Sequence, residues 1–429
     1  MKVFPQEKVI LEKVVGGGQT IGTLADGRRV FVWGGVPGEE VIVQLTKRKK
    51  NYAEAVATEV TLPSPQRVAP EDPESYLSTS PWQIYSFAAE QQYKAELISE
   101  AFALHNLQLP HQVEIKTNQQ QYHYRNKVEF SFWWHTDSDS LDLAFFKRGG
   151  NGKVPVHSTS LAHPAITAAA ERIIAQLGQK HSQARSLKTL LLRCTQAGEV
   201  VAQLYVKDEA VAQDFTPADI LAWQVSGGEV IYSDHRSPAS VITKRYAQAG
   251  NLWLEDTILS IPFRYAAESF FQVNIPLYEL ALRDMQQFIP NGPVIDIYSG
   301  VGSIGLTIGG DQLTLVESNN AAVQEMKRNV QALKSSAKVI HTPAEQATNA
   351  ITGEATIILD PPRAGLHQAV IDRLLAVKPK RIIYLSCNPV TQARDVALLH
   401  EQYAITAHTG YNFFPRTPHI EHLAVLELR

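Results

Sequence analysis

From about residue 270 the chain alternates short apolar runs with helix-like segments, and this alternation restricts the second half to one class of fold. The runs Val294–Ile297, Leu313–Glu317, 356–360 and 381–385 are four or five residues long and almost wholly apolar. That length is too short for a helix, and the composition suits strands buried on both faces. Segments 320–334 and 367–375 between them carry helical patterning. Strand–helix alternation of this kind predicts an α/β architecture with a doubly wound, mainly parallel sheet. The tail adds two more strand candidates, 403–408 and 422–428. Such sheets bind ligands outside the carboxyl ends of their strands, so the residues just after each run are the first functional candidates.

The upstream half reads differently. A chain of 429 residues should hold two or three domains. Residues 1–62 show short strands broken by Gly16-Gly17-Gly18, Asp26-Gly27 and Gly34-Gly35, which suggests a small β-barrel. Residues 63–110 form a proline-rich linker and a helix at about 86–104. Residues 111–260 read as a central α+β domain, with strand candidates 124–132, 190–193 and 200–206 and a helix near 165–177. Residues 261–429 hold the α/β pattern. No apolar run reaches the length of about 18 residues needed to span a bilayer, and residues 1–7 have no signal-peptide core. With two cysteines no disulfide framework is expected, so the reading is a cytoplasmic monomer without membrane partners. A net charge of -3 neither requires nor excludes nucleic acid, because binding phosphates needs only a local basic surface. Two stretches mix cations with aromatic rings, Lys47-Arg48-Lys49-Lys50-Asn51-Tyr52 and Phe145-Phe146-Lys147-Arg148.

Three loops carry the chemistry. After the first α/β strand comes Tyr298-Ser299-Gly300-Val301-Gly302-Ser303-Ile304-Gly305, whose glycines at 300, 302 and 305 match a dinucleotide fingerprint, with Glu317 placed to hold ribose hydroxyls. NAD and S-adenosylmethionine both fit that pattern. Asp296, inside the strand, would repel a pyrophosphate and suits a cofactor with a positive amino group, which favours S-adenosylmethionine. Asp360-Pro361-Pro362-Arg363 ends another strand, where two prolines stop the sheet and hold a carboxylate at its edge. Cys387, in Leu385-Ser386-Cys387-Asn388-Pro389, is a thiol at a third strand end. It reads either as a nucleophile or as a small buried hydrophobe. Methyl transfer to C5 of a pyrimidine gives the thiol a purpose. Addition of a thiolate at C6 makes C5 enolate-like, and a base then removes the C5 proton.

The residues that carry this chemistry resemble the RNA 5-methyluridine methyltransferases. Asp360-Pro361-Pro362-Arg363-Ala364-Gly365, Ser386-Cys387-Asn388-Pro389-Val390-Thr391, Ser269-Phe270-Phe271-Gln272-Val273-Asn274 and Phe414-Pro415-Arg416-Thr417-Pro418-His419-Ile420-Glu421 look like that family's motifs. The N-terminal unit looks like its TRAM domain, an RNA-binding barrel. The resemblance implies Cys387 as nucleophile and Glu421 as base, with Gln272, Tyr298, Gly300, Ser303, Glu317 and Asp360 holding S-adenosylmethionine beside the target base. It implies an RNA substrate, a uridine of 23S rRNA or tRNA, gripped partly by Lys47, Arg48, Lys49, Lys50, Lys147, Arg148 and Arg363. Two features depart from the family pattern. Relatives with this barrel often bind a four-cysteine iron–sulfur cluster, whereas Leu77-Ser78-Thr79-Ser80 and Val156-His157-Ser158-Thr159-Ser160 contain no cysteine, so no cluster and no metal are expected. Arg416 stands where the family usually has His. The alternatives are a 5-methylcytosine RNA methyltransferase, an NAD-dependent oxidoreductase favoured only by the glycines, and a non-catalytic RNA chaperone.

Overall fold

The computed structural model describes residues 6–180, 184–237 and 239–429; the stretch 1–7 read for a signal peptide lies mostly outside them. These residues divide into two units. The first takes the chain up to Glu90, then Gln120–Leu254 and the short stretch Arg416–Pro418; the second takes Gln91–Gln119, Glu255–Pro415 and His419–Arg429. The helix Phe87–Ala103 thus begins in one unit and continues in the other, and the second unit reaches well upstream of residue 261.

The first unit opens with a closed barrel in the order Gln6–Val14, Thr20–Thr23, Arg29–Trp33, Tyr52–Leu62, Glu40–Arg48. Alternation of inward Val9, Leu11, Val30, Val32, Val41, Val43, Leu45, Ala53 and Ala55 gives it a dry centre. A seven-stranded sheet follows, and sequence patterning marks only three of its strands. Its order is Lys244–Gly250, Gly227–Tyr232, Val200–Val206, Leu187–Cys194, Lys127–His135, Ser140–Phe146, Lys153–Val156. The helix Pro164–Gln179 packs Ile166, Ala169, Ala170, Ile173 and Leu177 onto it.

Where the family resemblance places cluster ligands, a polar node closes the first unit. Asp72 accepts hydrogen bonds from Ser160 N (3.1 Å), Ser160 Oγ (2.8 Å), Thr159 Oγ1 (3.3 Å) and Gln83 Nε2 (2.9 Å). Gln83 Nε2 also donates to Ser80 Oγ at 2.6 Å. One half-buried carboxylate thereby ties residues 72–83 to residues 159–160, the two segments a cluster would staple.

The second unit is built on an eight-stranded sheet. Its order is Lys338–His341, Leu313–Glu317, Val294–Ile297, Thr356–Leu359, Arg381–Ser386, Glu421–Leu428, Tyr403–Tyr411, Ile115–Lys116. The first five strands are parallel, joined through the helices Ser303–Ile308, Asn320–Ala332 and Gln368–Val377, so the doubly wound expectation holds. Strand order reverses between Val294–Ile297 and Thr356–Leu359, and the crevice beyond that switch point is where this class of sheet binds ligands. The helix Pro389–Leu399 follows Arg381–Ser386, and Glu421–Leu428 then enters antiparallel to that strand, pairing Ser386 with His422. Antiparallel entry brings the beginning of the last strand to the edge where the parallel strands end.

The Asp72 node yields a stability test. Asp72→Ala leaves four donors without their acceptor, and the expected cost is about 2 kcal/mol, read as a lower melting temperature that iron chelators do not alter. Wild-type stability in Asp72→Ala would show that the node does not staple the unit.

Candidate active site

The first wall of the crevice is the glycine loop. Asn329 and the strand partners fix its flanks, and Tyr298 leaves the strand in a left-handed conformation, φ 69°. Gly302 caps the helix Ser303–Ile308 at φ 87°, a conformation that favours glycine. Gly300 N donates to Glu317 Oε2 at 2.9 Å, while Ser318 N and Asn319 N donate to Glu317 Oε1 at 2.8 and 2.7 Å. Three amides thus orient the Glu317 carboxylate at the end of its strand. Ser303 Oγ shares a 2.9 Å hydrogen bond with the hydroxyl of Tyr278, which the helix Ile275–Gln286 supplies. Gln272 lies buried in the loop that precedes this helix. Half-buried Tyr298 packs its ring against the sheet core.

Asp296 is fully buried within the same strand. Its Oδ2 accepts from Gly305 N at 2.9 Å, while its Oδ1 has no hydrogen-bond partner. Burial pushes its carboxyl up to about 8, and the charges of Asp360 and Glu317 act in the same direction. An unsatisfied carboxylate oxygen inside a protein calls for a positive or donating partner. A Cβ added at Gly300 would meet nothing within 4 Å, so the loop faces open space. The orphan oxygen, the open space and the oriented Glu317 together fit a cofactor with a positive amino group and ribose hydroxyls.

The second wall carries Asp360 and Arg363. Pro361 and Pro362 end the strand, and Gly365 N closes a turn on Pro362 O at 2.8 Å. Gly365 has φ 81°, and a Cβ there would lie 2.4 Å from Asp395 Oδ2, so the turn needs glycine. Buried Asp395 accepts from Leu366 N at 2.7 Å and from the Tyr384 hydroxyl at 2.9 Å. This bond network clamps the Asp360 loop to the helix that follows Cys387. Burial lifts the Asp360 carboxyl to about 7.

Cys387 sits on the strand-to-helix turn between those elements, half-buried. Asn388 caps the helix Pro389–Leu399 by accepting from Val390 N at 3.2 Å, and Pro389 occupies its first position. Asn388 Nδ2 and Thr391 Oγ1 also donate to Arg363 O at 3.0 and 3.1 Å. Cys387 follows, and Glu421 precedes, the paired residues Ser386 and His422. Glu421, 4% exposed, is held well above the ordinary carboxyl range by burial and by Asp360, with Arg363 opposing. Burial, Glu421 and Asp360 push the Cys387 thiol up to about 12, and Arg363 again opposes. The four groups are therefore electrostatic neighbours. Burial lifts the Tyr278 hydroxyl well above its usual range, and the charges of Asp360, Asp296 and Glu421 act in the same direction. The segment leading to Glu421 is pinned within this unit. Buried Lys94 donates to Asn412 Oδ1 and Phe414 O, and Asn274 Nδ2 donates to Phe413 O at 3.1 Å.

Sequence reasoning singles out Cys387, Glu421, Asp360, Arg363 and the glycine loop, and the structure gathers them at one sheet edge. It misses Tyr278 and gives no separate role to His419 or Asp395. Tyr278 reads as an ordinary core aromatic, and no local pattern announces its hydrogen bond to Ser303. The basic candidates in the first unit look different in context. Lys47 is ion-paired with its cross-strand neighbour Glu54 at 2.6 Å, and Arg48 with Asp26 at 2.9 Å. Arg148 lies over the Trp33 ring, 4.5 Å from its centre, and donates to Leu77 O at 2.7 Å. Lys49, Lys50 and Lys147 are exposed. Arg416, at φ 65°, is buried and occupied internally. It donates to Tyr85 O at 2.7 Å, bonds Gln121 and Glu90, and lies over the rings of Phe87 and Tyr122.

Comparison with known proteins finds similarity over most of the chain. The model of the tRNA (uracil-5-)-methyltransferase family matches residues 87–429. A protein of Nitratidesulfovibrio vulgaris described as an uncharacterized RNA methyltransferase is 26% identical, covering 97% of this chain and 95% of the relative. One from Lactiplantibacillus plantarum with the same description is 28% identical over 94% of this chain and 93% of its own length. The crystal structure of Pyrococcus abyssi tRNA (uracil-54, C5)-methyltransferase in complex with S-adenosyl-L-homocysteine superposes with a TM-score of 0.78 at 22% identity, over 98% of this chain and all of that one, and shares the fold.

The raised Asp296 carboxyl has a consequence for stability. Its folded value, about 8, exceeds the ordinary value of 3.8, so between these pH values the folded chain holds a proton that the unfolded chain has released. Stability is therefore expected to fall as pH rises through this window, by on the order of 2–4 kcal/mol for this group. Asp296→Asn keeps the acceptor for Gly305 N and should flatten the pH dependence of thermal melting between pH 5 and 8, a range taken from those two values. A mutant with the wild-type slope would contradict the burial argument.

Proposed function

Because the chain belongs to the tRNA (uracil-5-)-methyltransferase family and is an S-adenosylmethionine-dependent RNA (uracil-C5)-methyltransferase, we propose that Cys387 and Glu421 carry out its chemistry on an extruded uridine. The observation that supports this reading is that Cys387 and Glu421 flank the same paired residues, Ser386 and His422, with the carboxylate raising the thiol's ionisation point. A base inside a helix hides C5 and C6, so the uridine must leave its stack. Phe270, 70% exposed beside Gln272, offers a ring for it to stack on.

In the proposed sequence Cys387 loses its proton to solvent, and Sγ adds to C6. The C5=C6 electron pair shifts through C5 onto the C4 carbonyl, which makes C5 nucleophilic. Bound S-adenosylmethionine supplies an electrophilic methyl group on a positively charged sulfur. Glu421, as the carboxylate, then takes the C5 proton, C5=C6 re-forms and Cys387 departs as thiolate. Glu317 would hold the ribose, while Asp296 and Asp360 face positive charge; Gln272, Tyr298, Gly300 and Ser303 complete the cofactor wall. Positive charge beside Asp296 and Asp360 favours their ionised forms, so cofactor binding and proton release are coupled.

Transfer RNA is the substrate to test first, since the matched family is one of tRNA methyltransferases and the Pyrococcus abyssi protein of the same fold is a tRNA (uracil-54, C5)-methyltransferase; 23S rRNA is the other candidate. RNA contacts are proposed for Arg363 and for exposed Lys49, Lys50 and Lys147. Lys47, Arg48 and Arg148 would contribute after exchanging their present partners. Cytosine methylation with two catalytic cysteines finds no support, because Cys194 is buried in the core of the other unit.

Incubation of the purified protein with unmodified tRNA and rRNA, followed by nucleoside mass spectrometry, is expected to yield 5-methyluridine. Formation of 5-methylcytidine instead would overturn the reading. Glu421→Gln should still add and methylate but release product about 10²–10⁴-fold more slowly, so a methylated protein–RNA adduct accumulates. Wild-type turnover in this variant would remove Glu421 as the base.

A further inference from the structure

The crevice poses a charge problem that the roles above leave open. Cys387, Glu421 and Asp360 all become anionic when ionised, and they are close enough to hinder one another. The group that opposes them is Arg363, whose positive charge favours ionisation of both Cys387 and Glu421. Its position is not left to a flexible side chain. The Arg363 carbonyl is gripped by Asn388 Nδ2 and Thr391 Oγ1, both on the turn and helix that carry Cys387. Its guanidinium Nη2 donates to His419 Nδ1 at 2.8 Å, two residues before Glu421. Guanidinium has no acceptor, so His419 Nδ1 must be unprotonated and its ring proton must sit on Nε2. The His419 ring also meets Phe414 edge-on, with centroids 5.7 Å apart.

We propose that Arg363 is a fixed cation of the catalytic centre, held by its backbone to the Cys387 turn and by its side chain to His419, and that it stabilises the Cys387 thiolate before RNA binds. The inference rests on the assignment of Cys387 and Glu421 above, and it gives Arg363 a task beyond contact with the substrate. His419 is then a positioning residue that acts through Arg363. Arg and Lys differ in this setting, because a planar fork can satisfy His419 while keeping its charge beside the thiol. The proton released when the S–H bond breaks goes to solvent, and the electron pair stays on Sγ.

The test uses full-length, RNA-free protein and the rate of Cys387 alkylation by iodoacetamide as a function of pH, read on the Cys387 peptide by mass spectrometry so that Cys194 is scored separately. Thiolate is the reactive form, so the rate tracks its population. Loss of a partly solvated neighbouring charge is expected to slow alkylation about three- to tenfold at a fixed pH below the midpoint in Arg363→Met. Arg363→Lys should recover part of that loss, and His419→Phe should give an intermediate loss by freeing the guanidinium. Retained S-adenosylmethionine affinity shows that each variant is folded. A wild-type alkylation profile in Arg363→Met overturns the proposal, and weakened RNA binding with that unchanged profile would return Arg363 to a purely RNA-contacting role. A shifted profile in Arg363→Met, with a wild-type protein that forms no 5-methyluridine, would instead sink the assignment of the reaction and leave the cation's effect on the thiol standing.

Discussion

The site depends on one pairing, that of Arg381–Ser386 with the antiparallel strand Glu421–Leu428. A parallel partner would have brought the carboxyl end of its strand to the crevice and put Glu421 at the far edge of the sheet. Antiparallel entry reverses this, so Cys387 and Glu421, 34 apart in sequence, flank the same Ser386–His422 pair and are electrostatic neighbours. The supports serve the same juxtaposition. Asn388 and Pro389 start a helix immediately after the thiol, Lys94 and Asn274 pin the segment before the carboxylate, and Asp395 clamps the Asp360 loop between them.

Concentrating acids in a partly buried crevice costs ionisation free energy, and Asp296, Asp360, Cys387 and Glu421 respond. Asp296 and Asp360 rise to about 8 and about 7, Cys387 to about 12, and Glu421 moves in the same direction. These shifts favour the protonated forms. Arg363 opposes them from within the chain, and positive charge on a bound cofactor would add to its effect. This arrangement couples reactivity of the thiol to assembly of the complete complex, and it limits damage to the thiol while substrate is absent.

Much of this was legible in the sequence, for identifiable reasons. The parallel strands are short, apolar and punctuated by glycine or proline, so both their existence and the functional value of their ends could be read. Asp360 stood out because two prolines marked where its strand stops, and Cys387 because one of only two thiols followed an apolar run. The seven-stranded sheet was largely missed: Gly227–Tyr232 opens on two glycines and a glutamate before its three strand formers, and Lys244–Gly250 has Tyr246 alone. Ile115–Lys116 joins the catalytic sheet with two residues and could not be seen at all. The role of Glu421 came from motif resemblance alone, since its location follows from long-range pairing. The basic run at 47–50 looked like open phosphate-binding surface because sequence does not show Glu54 across the barrel or Asp26 in a neighbouring turn.

The central claim is that Cys387 forms a covalent bond to C6 of a uridine. RNA in which 5-fluorouridine replaces uridine tests it directly, because Glu421 cannot remove fluorine from C5 and the adduct cannot resolve. Peptide mapping of the trapped complex should find the modified nucleotide on Cys387, dependent on S-adenosylmethionine for methylation and absent in Cys387→Ser. Failure of the wild-type protein to trap such RNA, or an adduct that persists in Cys387→Ser, would contradict the account.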